Sequence, residues 1–218
     1  MNKCLKQSTR AGGTALDSIH MDRFGENKVF LAPEKEDFAG VSCIFLTMGI
    51  GGDWKLEQEF KAKYPKCRVY GIEPSKDQYK GFGAFGSVIP KGVGLKTGSV
   101  TLTLRKGSEY TKEQVAVTPL HLLLDEYLAT RTILYATIDI EGFEYEIMPG
   151  FGDGEVLSRE GVRVCQLDAE LHDMNLTGPH FNFASFFKSL FQKTSFLPIF
   201  ATDFSWHRKL CGRVFPIR

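Results

Sequence analysis

The chain has 218 residues, of which 43% are hydrophobic and 24% are charged, and its formal net charge at pH 7 is +1. This length suits one α/β domain with a full core and is too short for two ordinary domains. The balanced charge excludes a strong overall field that would draw the protein to nucleic acid or anionic lipid, and no apolar run reaches the length of a membrane span.

The N-terminal residues lack the apolar core of a signal peptide, which predicts a cytoplasmic protein. A trimmed form of a secretory-pathway protein is the alternative. We expect residues 1–36 to form a partly disordered N-terminal extension and residues 37–218 to form the domain. The five cysteines are odd in number and include no C-x-x-C pair, so we expect reduced thiols rather than disulfides or a zinc site.

Residues 43–74 predict a strand, a glycine turn, a helix and a second strand, in that order. The apolar run at residues 44–46 is typical of a strand that is buried on both faces. The loop G-I-G-G-D follows at residues 49–53, where glycines allow a tight turn and the close approach of a ligand. Asp53 is a favoured N-cap residue for the helix, and the second strand ends at Glu73-Pro74.

Glu73 lies about 20 residues after the glycine loop, where an acid usually accepts hydrogen bonds from ribose hydroxyls. The spacing differs from the G-x-G-x-x-G of dinucleotide-binding loops, so an NAD-dependent enzyme is disfavoured. S-adenosylmethionine fits better because it carries no pyrophosphate. The alternative is a tight turn beside a surface acid. The predicted cofactor-binding residues are Gly49, Ile50, Gly51, Gly52, Asp53, Glu73, Pro74 and Asp139.

The rest of the chain predicts strands and helices in alternation. Predicted strands cover residues 88–95, 100–105, 133–140, 162–172, 197–204 and 210–217, and predicted helices cover residues 75–79, 121–129, 143–148 and 181–192. Such an order implies a largely parallel sheet with helices on both faces. The strand at residues 100–105 alternates polar and apolar residues, which predicts a half-solvated antiparallel strand.

Acidic residues and one histidine stand at the ends of two predicted strands. Asp139 and Glu141 share one face of the first strand, and Asp168, Glu170 and His172 share one face of the second. Buried acids are unfavourable without partners. We favour a catalytic site without metal, formed by Asp139, Glu141 and His172, in which neutral His172 or Glu141 takes the substrate proton. Oxygen and imidazole ligands for a metal, or purely structural residues, are the alternatives.

Three segments resemble the FkbM-type methyltransferases, closest to the animal methyltransferase-like branch. They are T-M-G-I-G-G-D-W-K-L-E, V-Y-G-I-E-P-S and A-T-I-D-I-E-G-F-E-Y-E-I-M-P-G-F. The resemblance implies an α/β, Rossmann-like class I methyltransferase fold with a mostly parallel, seven-stranded sheet. It also implies S-adenosylmethionine as cofactor and O-methylation of a small-molecule or glycan hydroxyl. From the small net charge we expect no nucleic-acid partner.

The chain departs from this family pattern at two threonines. Thr47 stands where most S-adenosylmethionine enzymes have an acid, and Thr137 stands where FkbM-type proteins usually have lysine. The first departure favours an alternative function, that of a binding domain that has lost catalysis. The sequence does not indicate an oligomeric state.

Overall fold

A computed structural model describes residues 16–21, 26–31, 42–106, 109–172, 182–194 and 196. The strands are β1 (Leu16–Met21), β2 (Glu26–Leu31), β3 (Ile44–Met48), β4 (Arg68–Ile72), β5 (Ser87–Ile89), β6 (Gly92–Gly94), β7 (Gly98–Lys106), β8 (Glu109–Pro119), β9 (Thr132–Ile133), β10 (Tyr135–Ile138), β11 (Arg163–Val164) and β12 (Leu167–Ala169). The α-helices are α1 (Lys55–Lys63), α2 (Leu120–Tyr127), α3 (Glu144–Ile147), α4 (Val156–Arg159) and α5 (Phe183–Lys193). Two short 3₁₀ helices cover Phe82–Ala84 and Met148–Phe151.

The centre of the fold is a five-stranded sheet with the order β12-β10-β3-β4-β5, in which every pair is parallel. The chain moves outward from β3 through β4 to β5 and then returns to the other side of β3 with β10 and β12. This is the Rossmann order, with its topological switch point between β3 and β10. The α/β, Rossmann-like fold predicted from the sequence is therefore confirmed.

The two faces of this sheet carry separate hydrophobic clusters because side chains alternate along each strand. From β3, Leu46 and Met48 belong to the cluster beneath α2, which contributes Leu123. Phe45 points to the other cluster, where it meets Phe60 of α1 at a ring-centroid distance of 4.8 Å. Helices thus cover both faces, as predicted.

The strands β1 and β2 pair antiparallel and form an N-terminal hairpin that packs on the α1 side of the sheet. Phe30 is buried, with its ring centroid 5.5 Å from that of Phe60 and 5.3 Å from that of Tyr135. The hairpin falls inside residues 1–36, the predicted N-terminal extension, and its side chains join the core. The domain boundary at residue 36 stays a prediction.

Several predicted elements differ from those observed. The antiparallel strand at residues 100–105 is found as β7, but its partner β8 was not predicted. The predicted helix at residues 75–79 is a turn, because five residues are too few to offset the cost of helix nucleation. The chain between β5 and β6 breaks at Pro90, which cannot donate to a ladder. The predicted closing strands, residues 197–204 and 210–217, lie outside the described residues.

Cys43 and Cys67 form a disulfide bond, with their Cα atoms 4.6 Å apart, and Cys165 is also disulfide-bonded. The prediction of reduced thiols is therefore wrong for these cysteines. Cys43 and Cys67 immediately precede β3 and β4, whose parallel register brings the two residues side by side. Cysteine count and local spacing carry no information about such long-range register.

None of the helices in the described part of the chain is long and apolar enough to cross a membrane.

Candidate functional site

A pocket lies over the carboxyl ends of the central strands, at the edge where Rossmann-like proteins bind ligands. The sheet contributes residues that follow β3, β4, β10 and β12, and the hairpins β1–β2 and β7–β8 close the sides. The residues that line the pocket include Met21, Lys28, Gly49, Ile50, Gly51, Asp53, Glu57, Glu73, Pro74, Thr103, Asp139, Glu141, Glu170 and His172. The pocket thus contains every predicted site residue except Gly52, which is exposed.

The glycine loop crosses the ends of two neighbouring strands. The backbone of Gly49 has φ +89°, and a Cβ atom there would collide with the carbonyl oxygen of Asp139. The Gly49 N–H donates to the carbonyl of Ile72 at 2.9 Å. The N-cap of helix α1 is Trp54, one residue later than the predicted Asp53, and Asp53 accepts the Lys55 N–H at 3.3 Å. Only glycine at position 49 lets the loop pass this close to β10.

Glu73 is buried at the end of β4 and holds the glycine loop. Its Oε2 accepts the N–H groups of Ile50 at 3.2 Å and Gly51 at 3.4 Å, and its Oε1 accepts that of Ser75 at 2.8 Å. Burial raises the pKa of Glu73, and these three hydrogen bonds oppose the shift. A carboxylate has about four lone-pair sites, so its oxygens retain capacity to accept hydrogen bonds from a ligand in the pocket.

Glu144 is fully buried and organises the turn after β10. Its Oε1 accepts the Ile140 N–H at 2.8 Å, and its Oε2 accepts the Gly142 N–H at 2.9 Å. The turn needs this support because Glu141 has a positive φ of 53°, which non-glycine residues seldom adopt. The sequence analysis did not single out Glu144, although an acid in a first helical turn often reaches back to preceding amides.

His172 is fixed between acids. Its Nδ1 lies 2.9 Å from Oε1 of Glu144, and its Nε2 lies 3.3 Å from Oε2 of Glu141 and 3.5 Å from Oδ1 of Asp139. Burial lowers the pKa of His172, but the hydrogen bond to Glu144 and the surrounding negative charges outweigh burial and raise it to about 10. A pKa in this range favours an imidazolium at neutral pH, whereas the predicted acceptance of the substrate proton requires a neutral ring.

Asp139 follows β10, and its side chain is 46% exposed, with the exposed part lining the pocket. Desolvation inside the pocket and the negative charge of Glu170 raise the pKa of Asp139, while His172 and Lys28 oppose the shift. A carboxyl group with a raised pKa is well suited to take up a proton near neutral pH.

Beneath the pocket lies a buried ion cluster that the sequence did not reveal. Lys28 of β2 places its Nζ 3.9 Å from Oδ1 of Asp168 and 3.8 Å from Oε2 of Glu170. Burial lowers the pKa of Lys28, but these acids outweigh burial and raise it, so Lys28 stays charged. Thr47 and Thr137, the two departures from the family pattern, hydrogen-bond to each other across β3 and β10.

The acids and His172 offer one set of atoms that could ligate a metal. One atom each from Asp139, Glu144 and His172 lies within 4.8 Å of the others. Metal binding requires a neutral imidazole, whereas these acids hold His172 protonated. Glu144 already accepts two backbone N–H groups and the imidazolium. Without a metal, the arrangement is an ion cluster neutralised by a proton, and the metal-free site stays a prediction.

Strand order and pocket together define the class of the protein: an α/β, Rossmann-like protein with a ligand pocket at its topological switch point. Neither a protein-family model nor a curated protein sequence matches the chain.

Several solved structures are similar to the chain. TrmK of M. capricolum, in complex with its natural cofactor product S-adenosyl-homocysteine, is 10% identical over 81% of this chain and 62% of that one, with a TM-score of 0.41. A SAM-dependent methyltransferase of Aquifex aeolicus is 11% identical over 80% and 81%, with a TM-score of 0.39. A variant of the 16S rRNA (adenine(1408)-N(1))-methyltransferase of Catenulisporales acidiphilia, with cosubstrate SAM, is 12% identical over 94% and 97%, with a TM-score of 0.41.

The prediction about binding partners needs correction. The sequence predicted a small-molecule or glycan substrate and no nucleic acid. The similar structures include an enzyme named for 16S rRNA, and the exclusion of nucleic acid is withdrawn. Likewise, a small net charge describes the whole chain and not the surface around the pocket.

Proposed function

We propose that the protein is an S-adenosylmethionine-dependent methyltransferase that transfers the methyl group to a hydroxyl. The observation that carries the proposal is the placement of Glu73 beside the glycine loop at the switch point of the sheet. At this position an acid can accept hydrogen bonds from ribose hydroxyls, and the glycine backbone of the loop lets the rest of the ligand approach closely. The resemblance of three segments to the FkbM-type methyltransferases supports the same proposal.

The residues that line the pocket suit this cofactor. Glu73, Gln78, Gly92 and Val93 all line it, and the adenosine would bind among them. With the ribose at Glu73, the methionine half would pass over the glycine loop, and the sulfonium would lie beside Asp139. The methyl acceptor then enters between the N-terminal hairpin and β7.

The proton of the acceptor goes to a carboxylate in this proposal. As the acceptor oxygen bonds to the methyl carbon, the carbon–sulfur bond breaks with its electron pair and leaves a neutral thioether. The hydroxyl proton passes to the ionised form of Asp139, whose raised pKa favours uptake of the proton. His172 remains an imidazolium and holds Asp139 and Glu141 in place through its Nε2. Methyl transfer needs little beyond this in-line placement and a base.

Calorimetric titration with S-adenosylmethionine, S-adenosylhomocysteine and NAD tests the proposal. We expect the first two to bind and NAD to bind at least tenfold more weakly. Glu73→Gln should weaken S-adenosylhomocysteine at least about tenfold, because a charged hydrogen bond contributes about 1.5–3 kcal/mol. Glu146→Gln, on the exposed side of α3, is the matched control. Unchanged binding by a folded Glu73→Gln protein would remove Glu73 from the ribose site.

Turnover separates an enzyme from a binding domain that has lost catalysis. If the cofactor binds, hydroxyl-bearing acceptor libraries should release S-adenosylhomocysteine with the wild-type protein and far less with Asp139→Asn. The expected loss is a factor on the order of 10²–10⁴, the usual span for a positioned acid or base. Tight cofactor binding with no turnover on any acceptor would favour the binding domain.

A further inference from the structure

The pocket end where the sulfonium would lie carries more acids than bases. Asp139, Glu141 and Glu170 line it, and the opposing cations are His172 and Lys28. The methyl donor and its product differ in charge at this very place, because the donor is a sulfonium cation and the product a neutral thioether. Their amino, carboxylate and adenosine groups are the same. A charged residue at this end therefore changes the affinity for the donor relative to the affinity for the product.

Lys28 is the cation that comes from outside the central fold. It reaches the acids from β2, its side chain is only 9% exposed, and its Nζ lies 3.8 Å from Glu170. Charges that are removed from solvent are screened weakly by water and salt. Lys28 therefore offsets part of the negative field that the acids direct at the pocket.

Resting on the proposed function, we propose that Lys28 and Glu170 set the preference of the pocket for the sulfonium over the thioether. Glu170 strengthens this preference and favours release of the product. Lys28 limits it, so that the donor is not held too strongly in its ground state. Catalysis gains when binding is stronger in the transition state, where the positive charge of the sulfur is already dispersing.

The ratio of dissociation constants for S-adenosylhomocysteine and S-adenosylmethionine reports this preference without any acceptor. We expect Lys28→Met to raise the ratio and Glu170→Gln to lower it, each by a factor on the order of three to ten, as unit charges several ångströms away would. Lys66→Met and Glu146→Gln remove exposed charges away from the pocket and should leave the ratio unchanged. Lys28→Arg keeps the charge and should keep the ratio near that of the wild type.

The outcomes are distinct. If the wild type binds neither ligand, the proposed function fails and this inference with it. If both ligands bind but the ratio stays constant in Glu170→Gln and Lys28→Met, the inference is wrong and the proposed function survives. If Lys28→Met does not fold, the Glu170→Gln variant is sufficient for the test. The Glu170 side chain is 24% exposed, and removing its charge leaves no unpaired acid.

Discussion

Glu57 is a carboxyl group buried between α1 and the pocket. It is 4% exposed, and its Oε2 has no hydrogen-bond partner within the described residues. Burial raises the pKa of Glu57 to about 7, and the hydrogen bond with Thr47 and the charge of Lys28 oppose the shift. Glu57 is thus an acid that the folded protein keeps protonated well above the ordinary carboxyl range.

This group should make the protein less stable as the pH rises. In the unfolded chain Glu57 ionises near pH 4.5, whereas the folded protein holds the proton up to about pH 7. The free energy of unfolding therefore falls by on the order of 3 kcal/mol between these two pH values, and it stays at the lower level above pH 7. We expect Glu57→Gln to unfold in urea at higher concentration than the wild type at pH 8, with a smaller difference at pH 4.5.

Glu59→Gln is the control on the same helix, because Glu59 is exposed and pairs only with Lys55 at 3.5 Å among the contacts of the described residues. It should change stability little at either pH. An equal effect of Glu57→Gln at both pH values would show that the carboxyl acts through packing and not through its proton.

Glu144 decides the charge of His172. We expect ring-nitrogen NMR signals of His172 in the wild type to show an imidazolium through pH 8. In Glu144→Gln the ring should titrate at lower pH, because the hydrogen bond to the carboxylate is the main influence that raises the pKa. Glu146→Gln should leave the titration unchanged. A wild-type ring that is neutral at pH 7 would restore His172 as a candidate base.

The N-terminal hairpin contacts both the pocket and the core. Lys28 and Phe30 lie on the buried face of β2, and Asn27 and Val29 lie on the other. Phe30 anchors the strand in the aromatic cluster, and Met21 and Lys28 extend from the same hairpin into the pocket. Loss of the anchor should therefore affect both stability and ligand binding.

Phe30→Ala should destabilise the fold by about 3–5 kcal/mol, the usual cost of removing a buried phenylalanine. It should also weaken S-adenosylhomocysteine binding, since the hairpin would no longer hold one wall of the pocket. Urea unfolding and calorimetry measure the two effects. Val29→Ala removes a half-buried side chain from the opposite face and should cost far less. Unchanged ligand affinity in a destabilised but folded Phe30→Ala protein would show that the hairpin does not contribute to ligand binding.

The disulfide bears on the whole molecule, since it joins the starts of two central strands that are 24 residues apart in sequence. Disulfides persist mainly in oxidising compartments. The bond therefore favours the secretory-pathway alternative over the cytoplasmic residence predicted from the sequence. A bond that closes a loop of this length stabilises the folded state by about 3–4 kcal/mol, chiefly by restricting the unfolded chain.

The double variant Cys43→Ser/Cys67→Ser should lose this stability in urea unfolding without reductant. Peptide mass measurement gives an independent check: in protein denatured and alkylated without reductant, Cys43 and Cys67 should remain unmodified and linked. Alkylation of both residues would mean that the protein folds with free thiols and that the prediction of reduced cysteines was right for this pair.

The sequence alone determined the elements that depend on neighbouring residues. The apolar run of β3, the glycine loop, helix α1 and the acid at the end of β4 all follow from residues 43–74, because burial, tight turns and caps have local signatures. The alternation of strands and helices likewise predicted the parallel α/β sheet. Asp139, Glu141 and His172 could be placed at one edge because parallel strands end together.

The tertiary structure alone decided the partners and the charges. Lys28 meets Asp168 and Glu170 only because a hairpin from the N-terminal region packs across the sheet. Cys43 meets Cys67 only through the register of β3 and β4. The imidazolium state of His172 depends on acids from another strand and helix, whose influence outweighs that of burial. The pKa of a group depends on the charges, hydrogen bonds and burial within several ångströms of it. Residues that are distant in sequence come within this range only when the chain has folded.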